Sequence, residues 1–261
     1  MNILDKIILH KREEVAVRKL MVTEEELRQT VYFTKPALSM KDSLRGENAS
    51  GIIAEFKRKS PSKGFINQYA DVKNITRAYT EYGASGISVL TDHEFFGGST
   101  EDLVMARENS IPILRKDFII DTYQILAAKA MGADVILLIA ACLSTAEVND
   151  LAIFAKETGL EVLLELHDRK ELAHICQAVD MVGVNNRNLK TFKVDINQSL
   201  KLGDMIPAGK IKIAESGIDD VQTIRRFKEA GFDGFLMGEK FMREQDPGNA
   251  FKNFVKELEA A

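Results

Sequence analysis

The chain has no tryptophan, and only two cysteines and five prolines among its 261 residues. Cys142 and Cys176 lie far apart without a companion at CxxC or CxxH spacing, so neither a disulfide framework nor structural zinc is expected. The four histidines, His10, His93, His167 and His174, form no HExxH-type pair, and no metal site is expected from them. Long apolar runs are also missing: the longest, Val135 to Leu143, is far short of the roughly 18 residues of a membrane span. Nor is there a basic excess. The 35 Lys and Arg face 39 Asp and Glu, a net charge of −4, which argues against a general nucleic-acid surface. The start, MNILDKIILHKREE, sets charges around a short apolar patch and shows no small-residue cleavage site, so the expected location is the cytoplasm and not a secreted or membrane setting.

What is present is a globular composition, 45% hydrophobic and 28% charged, which rules out disorder and allows a sizeable core. From residue 51 onward, short apolar runs alternate with amphipathic segments long enough for helices. The candidate strands are 52–56, 87–91, 113–116, 135–139, 162–166, 181–184, 211–214 and 234–237. Their starts advance in seven steps of about 26 residues, which suits a strand, a three-turn helix and two short loops. The expected architecture is α/β, a closed (β/α)₈ TIM barrel with an N-terminal helical extension. Residues 1–261 form a single domain in which 1–46 stand outside the repeat. An open doubly wound sheet fits less well, since no GxGxxG follows the first strand.

Local signals mark the helices. Ser144-Thr-Ala-Glu147 and Thr23-Glu24-Glu25-Glu26 read as capping boxes, Asp71, Asp121, Asp168 and Asp219 as N-caps, and Asp246-Pro247 as a helix start with proline in its first turn. Gly83, Gly132, Gly159 and Gly231 fall where helical patterns stop, as left-handed C-cap residues do.

In a barrel of this kind chemistry sits at the C-terminal ends of the strands, and alternation decides which side chains share the interior. Glu55 and Lys57 follow Ile53 on one face, Lys116 follows Leu114, and Glu165 and His167 follow Leu163. Asn185 and Arg187 follow Gly183, and Glu215 follows Ile213. A single charge at a strand end is ordinarily a solvated loop residue or half of an ion pair. Five strands sharing the feature point instead to acids and lysines that converge and shift one another's pKa, as general acid–base work requires. His167 is open to a catalytic part or to a capping role at the rim.

Glu215-Ser216-Gly217 and Met237-Gly238-Glu239 follow the seventh and eighth strands, where barrels often seat a phosphate on a short extra helix. The glycines also fit plain turns. The basic stretch Lys57-Arg58-Lys59-Ser60-Pro61-Ser62-Lys63-Gly64 fits a lid over an anionic substrate or a soluble loop. It lacks the interleaved aromatics of an RNA surface.

These residues fall within segments that resemble indole-3-glycerol-phosphate synthases of the tryptophan pathway, in their monofunctional form. The matching segments are IIAEFKRKSPSKG (52–64), SVLTDHEFFGGS (88–99), PILRKDFIID (112–121), GADVILLIAACL (132–143), LLELHD (163–168), VGVNNRNLKTF (182–192), IAESGI (213–218) and GFLMGEKFM (234–242). The resemblance implies conversion of 1-(2-carboxyphenylamino)-1-deoxyribulose 5-phosphate to indole-3-glycerol phosphate, with loss of carbon dioxide and water and no cofactor. It implies Lys116 as the general acid at the substrate carbonyl, Glu165 as a later proton carrier, and Lys57, with Glu55 beside it, in dehydration. Asn185, Arg187 and Glu215 match a polar ring around the ribulose. Ser60, Ser216, Gly217, Gly238 and Glu239 match the phosphate stretch, and Phe96 and Leu137 match the walls for the aromatic ring. Glu239 departs from members that carry serine after this glycine and so lacks their hydroxyl. Two further readings are a Schiff-base aldolase acting on a sugar phosphate and a phosphate-binding barrel without catalysis. The expected partner is a small phosphorylated molecule; the sequence leaves the oligomeric state undetermined.

Overall fold

Alternating burial along the strands sorts the apolar residues into two layers, and a closed sheet is what keeps them apart. The computed structural model describes residues 3–61, 63–187 and 193–260; Ser62 of the basic stretch and residues 188–192 of the VGVNNRNLKTF segment lie outside this range. Eight parallel strands, β1 (Ile52–Phe56), β2 (Gly86–Leu90), β3 (Ile113–Lys116), β4 (Val135–Ile139), β5 (Glu161–Leu166), β6 (Met181–Asn185), β7 (Ile211–Glu215) and β8 (Gly234–Met237), close with β1 paired to β8. Four strands have the bounds expected from the sequence. Of the others, β2 is shifted one residue toward the N-terminus and three gain one residue at an end, so that Asn185 and Glu215 are strand residues with fixed pairing to each other. Ile53, Leu114, Leu137, Leu163, Ile213 and Leu236 fill the interior. Their strand neighbours Ile52, Ile113, Leu138, Leu164 and Phe235 point outward against the helices.

The outer helices are α4 (Val72–Glu81), α5 (Thr100–Ala106), α6 (Thr122–Met131), α7 (Thr145–Glu157), α8 (Ile196–Gly203), α9 (Val221–Glu229), α10 (Glu239–Met242) and α11 (Pro247–Glu259). Asp71, Asp121, Ser144 and Asp246 cap their helices, and Gly83, Gly132, Gly159 and Gly231 adopt positive φ at helix ends. Asp219 is not a cap: Asp220 accepts from the Thr223 N–H and starts α9. After β5 the expected α-helix is replaced by a 3₁₀ segment, Arg169–His174, which Asp168 caps. The basic stretch is partly ordered as a small antiparallel hairpin, Lys59–Ser60 against Gly64–Phe65.

The extension supplies α1 (Ile3–Met21), α2 (Glu24–Arg28) and α3 (Met40–Leu44), with the Thr23–Glu26 capping box in place. It reaches both ends of the barrel. Met40 and Leu44 of α3 enter the interior cluster at the N-terminal end, where Met40 fills the space that a side chain at Gly86 would need. Helix α1 brings Ile7 to the same cluster at the opposite end, over the mouth. Among the described residues no helix is long and apolar enough to cross a membrane.

Candidate active site

The mouth opens into one cavity of about 380 Å³. The fourteen residues singled out from the sequence, Glu55, Lys57, Ser60, Phe96, Lys116, Leu137, Glu165, Asn185, Arg187, Glu215, Ser216, Gly217, Gly238 and Glu239, all line it. His167 does not; it stands behind Glu165.

Lys116 is the centre of the polar half. Its Nζ lies 3.2 Å from Glu165 Oε2 and 3.0 Å from Glu215 Oε2, bridging β3 to β5 and β7. Lys57 Nζ lies 2.6 Å from Glu55 Oε1, and Asn185 Nδ2 donates to Glu165 Oε1 at 3.1 Å. The room for Glu215 comes from Gly183, because a Cβ there would run into Glu215 Oε1. Gly238 likewise lets β8 approach β1, since a Cβ there would lie 2.8 Å from that of Glu55.

Burial and mutual charge then set the protonation states. Burial pulls the Lys116 ammonium down, but Glu215, Glu165 and Glu55 together hold its pKa well above the ordinary lysine value. Burial raises Glu165, and Lys116, His167 and Asn185 overcome this, so it stays ionised. Glu55 is lowered in the same way by Lys57 and Lys116. Glu215 goes the other way: burial, with Glu165 adding to it, outweighs Lys116 and pushes Glu215 up to about 7. Glu165 and Glu215 around one ammonium therefore titrate as a pair, Glu215 being the one that takes up a proton more readily. His167 Nε2 lies 3.0 Å from Glu165 Oε1, and its Nδ1 lies 3.7 Å from Glu171 Oε2. Burial lowers the imidazole, and the two carboxylates reverse this to about 10.

The opposite rim is built from the turns after β7 and β8. Ser216 and Gly217 both take the left-handed backbone, at φ 68° and 65°; for a serine this costs about 1 kcal/mol or more. Asn186, which the sequence reading passed over, is buried and steadies this turn by donating to the Ser216 carbonyl at 2.6 Å. Gly238 precedes the short helix α10, and Gly238, Glu239 and Lys240 line the cavity. Lys63 pairs with Glu239, and Arg187 Nη2 lies 3.5 Å from the same carboxylate, so a cation from the hairpin and one from just after β6 meet at this rim. Phe96, Phe118, Leu137 and Ile139 form the apolar half, roofed by Ile3, Leu4 and Ile7 of α1. The roof residues carry no local sign of function in the sequence, where they belong only to the helical extension outside the repeat. Among the described residues no group of three or more His, Cys, Asp or Glu side chains is arranged to hold a metal.

A closed eightfold barrel whose strand ends bring acids, lysines and an apolar wall into one cavity has the architecture of a barrel enzyme. The indole-3-glycerol phosphate synthase family model matches residues 4–254, and the chain belongs to that family. It is 47% identical over 259 residues to an indole-3-glycerol phosphate synthase of Bacteroides thetaiotaomicron, covering 99% of both chains. It is 46% identical over 255 residues to that of Bordetella pertussis, covering 95% of this chain and 96% of the other. Tryptophan synthase subunit alpha from Legionella pneumophila shares the fold, with a TM-score of 0.61 at 13% identity over 85% of this chain and 97% of that one. So does 3-hexulose-6-phosphate synthase from Salmonella typhimurium, with a TM-score of 0.60 at 14% identity over 80% and 99%.

Proposed function

We propose that the chain is an indole-3-glycerol-phosphate synthase, a carboxy-lyase of tryptophan biosynthesis, working in the cytoplasm as one domain that includes residues 1–46. The observation that carries this reading is the Lys116 ammonium held between Glu165 and Glu215, in the same cavity as the Lys57–Glu55 pair.

The substrate carries an anthranilate ring joined through nitrogen to a phosphorylated ribulose. Its phosphate takes the rim of Ser216, Gly217 and Gly238 with Ser60 nearby, displacing the Glu239 carboxylate from Lys63 and Arg187. Its ring lies against Phe96 and Leu137. The ring carbon bearing the carboxylate attacks the ribulose carbonyl, and Lys116 gives its proton to the carbonyl oxygen as the carbon–carbon bond forms. The bond to the carboxylate then breaks, carbon dioxide leaves, and the electron pair restores the aromatic ring. Dehydration follows: Lys57, held by Glu55, protonates the departing hydroxyl, and Glu165 takes a proton from the neighbouring carbon, so that the new double bond completes the indole. Asn185 keeps Glu165 aimed, while Glu215 and Arg187 orient the hydroxyls and the carboxylate.

The charge on Lys116 also separates this reading from a Schiff-base aldolase, which needs a neutral amine as nucleophile. Three carboxylates hold this lysine as an ammonium. Fluorescence-detected formation of indole-3-glycerol phosphate from the synthetic substrate tests the proposal. Lys116→Met should lower kcat by at least about 10³-fold with the fold intact by circular dichroism. Turnover near that of the parent chain would remove Lys116 from its role, and a borohydride-trapped lysine adduct would favour the aldolase. No product at high enzyme concentration would leave a binding barrel.

A further inference from the structure

Lys11 of α1 has no solvent-exposed side-chain surface, which is unusual for a lysine on a helix outside the barrel repeat. Its Nζ lies 2.7 Å from Glu14 Oε2, 3.0 Å from Asp92 Oδ2 and 3.0 Å from Asp117 Oδ1. Burial acts to discharge it, and the three carboxylates more than reverse this, so it stays an ammonium. Such a cluster is a poor way merely to fasten a helix. Desolvating the charges cancels most of their attraction, and an apolar side chain of the same size would hold the contact at least as well. What a buried ion cluster adds is direction, because only one arrangement of the helix satisfies it.

The groups it directs are parts of the cavity. Asp92 follows β2, and its other oxygen accepts the main-chain N–H groups of Phe95 at 2.7 Å and Phe96 at 3.1 Å. Asp117 follows β3 immediately after Lys116, and its Oδ1 accepts the Phe118 N–H at 2.8 Å. The Phe96 and Phe118 rings stand 6.0 Å apart, and α1 closes the space above them with Ile3, Leu4 and Ile7. One ammonium thus ties the roof helix to the turns that carry both rings. The cations are not interchangeable. Asp117 also has Arg115 at 2.9 Å, whereas among the described residues Lys11 is the cation recorded beside Asp92.

We propose that Lys11 is a positioning residue for the aromatic half of the substrate: its contacts with Asp92 and Asp117 hold α1 and the turns after β2 and β3 as one apolar clamp. The inference rests on the cavity being the substrate site, which turnover by the parent chain checks first. The experiment compares the full chain with Lys11→Met, Asp92→Asn, the double variant Lys11→Met/Asp92→Asn, and Val15→Ala. Val15 anchors the same helix against Tyr123 and Leu126, away from the cavity, and its truncation supplies a stability-matched control. KM, kcat and thermal midpoint are measured for each. Lys11→Met should raise KM about tenfold or more while kcat falls less than about threefold, as a displaced binding wall would do. The double variant should recover thermal midpoint, since no orphaned carboxylate remains, but keep the raised KM. Val15→Ala should lose thermal midpoint at unchanged KM. An unchanged KM in the double variant, or a KM that merely follows thermal midpoint across the whole set, would overturn the proposal. Should Lys11→Met fail to fold, the double variant and Asp92→Asn decide it.

Discussion

At the N-terminal end of the barrel, Asp134, Glu161, Asp180 and Asp233 each accept at least one main-chain N–H in addition to a side-chain cation: Arg107, Lys41, Lys156 with Lys41, and Arg45 respectively. Asp134 accepts from the N–H groups of Leu38 and Ile113, Glu161 from those of Met40 and Lys41, Asp180 from Val162, and Asp233 from Lys212. At the mouth, the recorded partners of Glu55, Glu165 and Glu215 are side chains: Lys57, Lys116, Asn185 and His167. Residue type is the same at both ends and both sets meet cations; main-chain donors are recorded for the floor acids alone. A carboxylate fixed by backbone donors has few alternatives to its folded geometry. One that meets mobile ammonium and amide groups keeps a proton inventory that a substrate can alter.

The contrast should show first in a paired experiment. Glu165→Gln should lower kcat by about 10²–10³-fold with little loss of stability. Asp134→Asn at the floor should cost about 3 kcal/mol in urea unfolding, because it leaves the Arg107 guanidinium without its buried partner, yet change kcat/KM by less than about threefold. A floor variant that lost activity without losing stability would erase the distinction. A smaller effect concerns pH. With Glu215 raised to about 7, kcat should show an inflection near pH 7 that disappears in Glu215→Gln. Because the folded state favours the protonated acid, the stabilising share of Glu215 is full below its unfolded value near 4.5 and is lost as pH climbs through 7; an inflection that survives in the variant would reassign it. The smallest effect belongs to His167. Its folded pKa of about 10 lies above the unfolded 6.5, so its contribution to stability is full below 6.5 and is lost as pH rises through 10, while inside the folded chain it supports Glu165 until pH nears 10. His167→Asn should cost only severalfold in kcat at pH 8 and remove the alkaline decline, a comparison made by titrating both proteins to pH 10.5.

The barrel was legible because its signals are local. Short apolar runs placed β1, β3, β4 and β8 to the residue, and alternation along the strands put Glu55, Lys116, Glu165, Asn185 and Glu215 inside. Where two local signals compete, as at Asp219 and Asp220, only the packed chain shows which carboxylate meets the Thr223 N–H. The 3₁₀ segment after β5 was misread for a related reason: Asp168 opens either helix type equally well. Lys11 was illegible. On an exposed-looking helix it reads as one more charge, and its burial depends on Asp92 and Asp117, which nothing near it in the chain announces. The roof formed by Ile3, Leu4 and Ile7 was hidden likewise, since a hydrophobic helix face does not say which surface it will cover.

The bare α-carbon of Gly183 has a consequence for anyone rebuilding this barrel. The volume that a side chain would occupy on β6 has been ceded to an acid on β7, so positions 183 and 215 behave as a single design variable. Any larger residue at the first demands a shorter one at the second, and new chemistry installed from β6 becomes feasible only in a variant that gives up the β7 acid.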